Sequence, residues 1–281
     1  MKFLLCGCFH GRVPNKLIKI AKKEKVDYIL STGDFYSGDV FRDLIFKYFD
    51  KTKGTDFLLK EIIGAKRYNK LVKKLNLSGI KTLNKLNSLN IPIITCYGNH
   101  DSSLKMPWFK VRTLKNKDIL DNKIKKLKNI KLIDYGFKKI DGYFIYFIGV
   151  KFPRKNKKYM EGWGYQYKVA LDEYKKLNKF FKKMDPRKVI LLSHEPPLNT
   201  RFDKVSYRKS PAYGKHVGDF VIKDIIKKYK PLIHISGHMH EHQGKAYLRK
   251  TLLISHGPAQ YGKFALLELE KDKIKKLKFY K

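Results

Sequence analysis

Seven side chains able to hold a metal ion stand just beyond short apolar runs: Cys8, His10, Asp34, Asn99, His194, His238 and His240. The densest stretch is Tyr97-Gly98-Asn99-His100-Asp101, which follows the run Ile91 to Cys96. It offers a ligand in Asn99, a general acid in His100 and a carboxylate to orient that acid in Asp101. Seven donor groups are more than one ion needs. Asp34 is the only carboxylate among them, and its two oxygens can bridge two ions. Two ions about 3.5–4 Å apart can clamp both oxygens of an in-line displacement at phosphorus and bring a bridging water toward ionisation near neutral pH. Clusters of His with carboxylates usually mark metal or catalytic sites. His234 and His242 read differently, as a strand residue of the core and a flanking surface residue.

The elements that must position these groups are legible from periodicity. Residues 2–7 and 27–32 read as buried strands, with a helix between them that starts at Pro14. This βαβ opening implies a parallel sheet with a right-handed crossover. Ligand groups in such sheets gather beyond the carboxyl ends of the strands. Between Asp34 and Ile91 the chain is longer than a crossover needs. Two to four helices are expected there, punctuated by Gly54, Gly64 and Gly79, as a helical insertion at about residues 38–90. Residues 108–127 are basic and carry no clear pattern. Segments 130–135, 137–140 and 143–150 read as strands, the last two joined at Asp141-Gly142. The change from βαβ to hairpin marks a second sheet, which takes in 189–193, 232–236, 251–255 and 264–269. A helix is expected at 169–184 and another, capped by Asp219, at 220–229. Two sheets face to face with helices outside both is the simplest layered arrangement.

The chain has 281 residues, 43% of them hydrophobic, enough for one domain with a substantial core and against disorder throughout. With 63 basic and 25 acidic residues the formal charge is +38, which should attract phosphates and other anions. The lysines are spread along the chain with no separate basic tail, as a lysine-rich solvated surface would have them. Three cysteines, Cys6, Cys8 and Cys96, give no disulfide framework and fit a reducing, cytosolic compartment. The longest apolar run, Tyr143 to Val150, is far short of a membrane span. The segments 151–168 and 200–218 mix basic and aromatic residues and are candidates for holding a phosphate and stacking a base. His256, just past another strand, is a further candidate to reach the site.

The ordered set Cys8-Phe9-His10, Gly33-Asp34, Gly98-Asn99-His100-Asp101, His194 and Gly237-His238-Met239-His240 resembles the motifs of the calcineurin-like metallophosphoesterases, across almost the whole chain. The resemblance implies a four-layer αββα sandwich of the α/β class, with two mixed sheets and flanking helices. It implies a dinuclear centre of divalent ions, Mn, Zn or Fe. His10 and His240 would hold the first ion with Asp34 and position 8, and Asn99, His194 and His238 the second, again with Asp34. His100 would protonate the leaving group, Asp101 would orient it, and a metal-bridging hydroxide would attack a phosphodiester or phosphomonoester, a nucleotide or another small phosphate ester. Two positions depart from the pattern. Cys8 stands where the family has Asp, and a thiolate there favours Zn or Fe. Ser37 stands where the second motif ends in Asp. The rival expectations are a nuclease acting on DNA or RNA, motivated by the charge, and a non-catalytic binding scaffold if Cys8 disables the first site.

Overall fold

The computed structural model describes residues 1–52, 59–101, 116–149 and 164–281. The first half runs β1 (Lys2–Cys6), α1 (Asn15–Lys23), β2 (Tyr28–Ser31), α2 (Asp39–Lys47), α3 (Phe49–Thr52), α4 (Leu59–Ile63), α5 (Ala65–Asn87), β3 (Ile93–Thr95), α6 (Asn116–Lys125) and β4 (Ile130–Leu132). The second half runs β5 (Tyr135–Ile140), β6 (Tyr143–Ile148), α7 (Gly164–Phe181), β7 (Val189–Ser193), α8 (Phe220–Tyr229), β8 (Ile233–Ser236), β9 (Gly244–Leu248), β10 (Thr251–Ser255), β11 (Phe264–Glu270) and β12 (Lys273–Tyr280).

These strands form two mixed sheets of six, ordered β12-β11-β1-β2-β3-β4 and β5-β6-β7-β8-β10-β9. Strands β1 to β4 are parallel, as are β6, β7, β8 and β10. Antiparallel partners close every edge except that of β4 in the first sheet. Alternation along β1 shows how the layers stack. Phe3 and Leu5 point into the core between the sheets, against Ile145, Phe147, Leu192 and Ile235. Leu4 and Cys6 point the other way, onto Leu17 of α1 and Leu83 of α5. On the outer face of the second sheet, Leu191 and Leu253 meet Leu177 of α7 and Ile222 of α8. Strands buried on both faces must be apolar throughout, which is why they read as unbroken runs. The result is the expected four-layer αββα arrangement.

Three expectations need correction. The segment 264–269 reads as part of the second sheet, but β11 pairs with β1 in the first. The edge strands β9 and β12 have no counterpart in the sequence reading. Gly79 does not interrupt a helix: α5 runs through it for 23 residues. A Cβ there would overlap the Tyr36 ring, so the glycine serves close packing. Gly64, at φ 81°, does break the chain between α4 and α5. Gly54 lies outside the described residues, as does most of 151–168.

Candidate metal centre

The parallel strands of both sheets end at one edge. Cys8 and His10 follow β1, Asp34 follows β2, and Asn99 and His100 follow β3. His194 follows β7, and His238 and His240 follow β8. Cys8, His10, Asp34 and His238 have φ of 51°, 44°, 61° and 63°, a left-handed conformation that costs energy for residues with a Cβ. The surroundings hold them there. Gly33 and Asp34 carbonyls accept from the N–H groups of Cys8, Phe9 and His10 at 2.8–3.0 Å, which ties the first two loops together. The buried Asp101 carboxylate accepts from the N–H of Asp34 (2.6 Å), Phe35 (2.9 Å) and Gly98 (3.1 Å), which ties in the third. Gly98 has no side chain because the Asp34 carboxylate occupies that space, and Gly38 likewise makes room for the His100 ring.

Asp34 sits at the centre, almost fully buried. Its Oδ2 lies 3.3 Å from His194 Nε2 and 3.6 Å from His10 Nε2. Its Oδ1 accepts the His100 backbone N–H at 2.8 Å. On one side His10 Nε2 meets His240 Nε2 at 3.1 Å, and the Cys8 thiol lies with both rings. On the other, His194 Nε2 is 2.9 Å from Asn99 Oδ1 and 3.2 Å from His238 Nδ1, and those two are 3.1 Å apart. Every sequence-predicted donor is therefore at one place around Asp34, with Cys8 within reach of His194 as well as of His10 and His240.

The hydrogen-bond partners limit what this cluster could hold. His194 Nδ1 is 2.7 Å from the Thr32 carbonyl, which can only accept, so Nδ1 carries the proton. In the neutral ring Nε2 is then a bare lone pair, facing Asn99 Oδ1 and Asp34 Oδ2. Acceptors pointed at one another repel unless a proton or a metal cation lies among them. Imidazole, amide oxygen, carboxylate and thiol are also the donor types that divalent transition metals take, so the residues fit such ions.

The electrostatics leave His10, His238 and His240 unprotonated and favour a second proton on His194, the position a bound cation would take over. Burial would raise the Asp34 pKa, but His194, His100 and His10 together hold it well below the usual carboxylate range. Burial lowers His10, takes His238 down to about 3 and His240 to about 4, so these rings keep their lone pairs at neutral pH. Burial also pulls His194 down, but Asp34 and the Thr32 carbonyl more than offset it. Burial and the Asp34 charge raise the Cys8 thiol, which stays protonated until a cation displaces the proton. Its sulfur now accepts from the His238 N–H at 3.2 Å.

Two residues behave otherwise than expected. The hydrogen bonds found for the Asp101 carboxylate go to backbone N–H donors, so it shapes the loops carrying Asp34 and His100 rather than gripping the His100 ring. Burial and the Asp34 charge push its pKa up to about 7 against those three donors. His256 does not reach the centre as a loop residue. It is buried, with Nδ1 on the Gly257 carbonyl and Nε2 on the Thr32 hydroxyl at 2.8 Å. It braces the residue that orients His194.

Sequence reading missed Asp39 and Arg42, both on α2. Asp39 Oδ1 is 3.6 Å from His10 Nδ1 and 3.0 Å from the Arg42 guanidinium. Arg42 also lies over the Tyr207 ring, at 5.7 Å, which joins α2 to the 200–218 loop. A carboxylate on the first residue of a helix reads as a response to the helix dipole, so nothing in sequence sets Asp39 apart.

A family model described as metallophosphoesterase, calcineurin superfamily, matches residues 3–279. A dimetal phosphatase from Danio rerio superposes with a TM-score of 0.60 at 10% identity, covering 100% of this chain and 96% of that one. The protein TT1561 of Thermus thermophilus gives 0.56 at 14% identity, over 99% and 97% of the two chains. A purple acid phosphatase from yellow lupin seeds gives 0.52 at 11% identity, over 95% of this chain and 49% of that one. At such identities these structures speak for the fold. No curated protein matches the sequence.

Proposed function

The chain belongs to the metallophosphoesterases of the calcineurin superfamily, and on that premise we propose that it hydrolyses phosphodiester or phosphomonoester bonds with two divalent metal ions. Cys8, His10 and His240 hold one ion and Asn99, His194 and His238 the other, with Asp34 shared between them. The observation that carries this reading is the position of Asp34 Oδ2, 3.3 Å and 3.6 Å from one imidazole of each set. Once bound, such ions supply Lewis acidity and charge neutralisation for chemistry at phosphorus.

The chain's own residues do the rest. The backbone N–H of His100 anchors that residue to Asp34, and its Nδ1 edge packs on Gly38. Nε2 is left to deliver a proton to the departing oxygen. Asp101 is a positioning residue: it ties together the two loops from which Asp34 and His100 project. Cys8 biases its site toward Zn or Fe rather than Mn. The whole chain acts as one catalytic unit, with α2 to α5 as an insertion between β2 and β3. Among the described residues no helix is long and apolar enough to cross a membrane. The three free, buried cysteines fit a reducing, cytosolic setting.

Metal content, with hydrolysis of bis-p-nitrophenyl phosphate and p-nitrophenyl phosphate on the same samples, tests the reading. His100→Ala should keep its metal and lose most of its turnover. A wild type that binds no divalent ion, or a His100→Ala variant with undiminished turnover, would end it.

A further inference from the structure

We propose that the outer face of α5 is a track for the phosphodiester backbone of a nucleic acid strand, which the metal centre then cleaves. This deepens the phosphoesterase reading and rests on it. Helix α5 is the longest helix among the described residues and contains no acidic residue. Lys66, Arg67, Lys70, Lys73, Lys74 and Lys81 are all exposed. At about 100° per residue they fall within a single stripe, and at about 1.5 Å per residue the stripe runs for about 22 Å. Among the described residues none of the six has an ion-pair partner.

This arrangement is costly to the helix itself. Like charges three and four residues apart repel. Lys66 and Arg67 also sit in the first turn, where the helix dipole favours anions and no acid is present. A local rule broken with no gain inside the fold points to a gain outside it. The stripe also leads to the site. Ser78 flanks it on the helix surface; its hydroxyl accepts the Ser37 N–H at 2.9 Å and its side chain packs on Gly11, the residue after His10. Exposed Arg12 follows. A bilayer is a poor occupant, because Tyr68, Leu75, Leu83 and Leu86, the apolar face of α5, are buried in the core. Regularly spaced phosphates match a row of cations, and a phosphate ester is what the adjacent centre consumes.

The test is fluorescence anisotropy of a labelled single-stranded DNA oligonucleotide with the metal-loaded protein, over a range of salt. Wild type is compared with Lys70→Glu/Lys74→Glu/Lys81→Glu and with a charge-matched control, Lys175→Glu/Lys179→Glu/Lys182→Glu. All six positions are exposed, and the five that lie on α5 and α7 accept Glu without loss of helix propensity. Losing three phosphate contacts should flatten the slope of log affinity against log salt by about 2, at about 0.7 per contact on a single strand. The control should move it much less, and hydrolysis of bis-p-nitrophenyl phosphate should be unchanged in both variants. Equal losses in the two variants would mean diffuse charge and would overturn the proposal. So would no oligonucleotide binding by wild type, or an α5 variant that loses binding only to phosphatidylserine vesicles. A wild type that binds the oligonucleotide through α5 but hydrolyses no bis-p-nitrophenyl phosphate would sink the phosphoesterase reading instead.

Discussion

Replacing Asp39 by Asn should weaken one metal site and spare the other. Asp39 Oδ1 faces His10 Nδ1 at 3.6 Å, and that nitrogen has no hydrogen-bond partner among the described residues. A carboxylate behind an imidazole fixes its tautomer and raises its basicity, and loss of such a partner costs about 10–100-fold in metal affinity. The separation here exceeds a hydrogen bond, and Arg42 shares the carboxylate at 3.0 Å. The expected loss is therefore at the lower end, about tenfold or about 1.4 kcal/mol. Calorimetric titration of Zn²⁺ into chelator-stripped protein should resolve two binding events, with only the His10 event weakened. Asp43→Asn is the control, since Asp43 pairs with the same arginine but no contact links it to His10. Unchanged binding in Asp39→Asn, equal weakening of both events, or the same loss in Asp43→Asn would refute the reasoning.

Three further outcomes follow from the geometry. Asp101→Asn replaces an acceptor oxygen with an amide nitrogen where three N–H groups converge; one orphaned donor should cost about 1–3 kcal/mol, read from urea denaturation. Unchanged stability would mean those three bonds do not hold the loops. Gly98→Ala puts a methyl group into the space of the Asp34 carboxylate; the variant should lose metal while keeping its far-UV circular dichroism, and full metal content would contradict the packing. Finally, burial takes His234 down to about 3 and His256 to about 4. Their folded pKa values lie below the unfolded one, so the unfolded chain binds protons that the folded chain refuses. Their contribution is intact above about pH 6.5 and is lost as pH falls through about 6 to 4.5, at about 2.7 kcal/mol per pH unit for two groups. In metal-free protein His234→Gln should reduce the slope of stability against pH by about half of that, and an unchanged slope would contradict the assignment.

The strand-turn motifs were legible because a strand buried on both faces is an apolar run, and the polar residues that end it stand out. That contrast located His10, Asp34, Asn99, His194, His238 and His240 together. Edge strands lack it. In β12 lysines alternate with Ile274, Leu277 and Phe279, and a register shift at Glu268/Leu269 breaks the period. Only one side of the strand is covered, so nothing in the sequence separates it from a solvated loop. The return of β11 to β1 is invisible for another reason: the pairing spans the whole chain, and local patterning carries no information about it. Asp101 shows the limit within the site. It is next to His100 in sequence, but the turn after Gly98 folds its carboxylate under the Asp34 loop. Asp39 shows the converse, a residue outside every motif that α2 brings to His10.

The most direct measurement is the metal-to-chain ratio of wild-type protein and Asp34→Asn after reconstitution with Zn²⁺ or Fe²⁺ and removal of excess. Wild type should hold two ions per chain. The variant should lose metal at both sites, since the Oδ2 between His10 and His194 belongs to both sets. A wild type with a single ion, or an Asp34→Asn variant that keeps two, would contradict a centre built around that shared carboxylate.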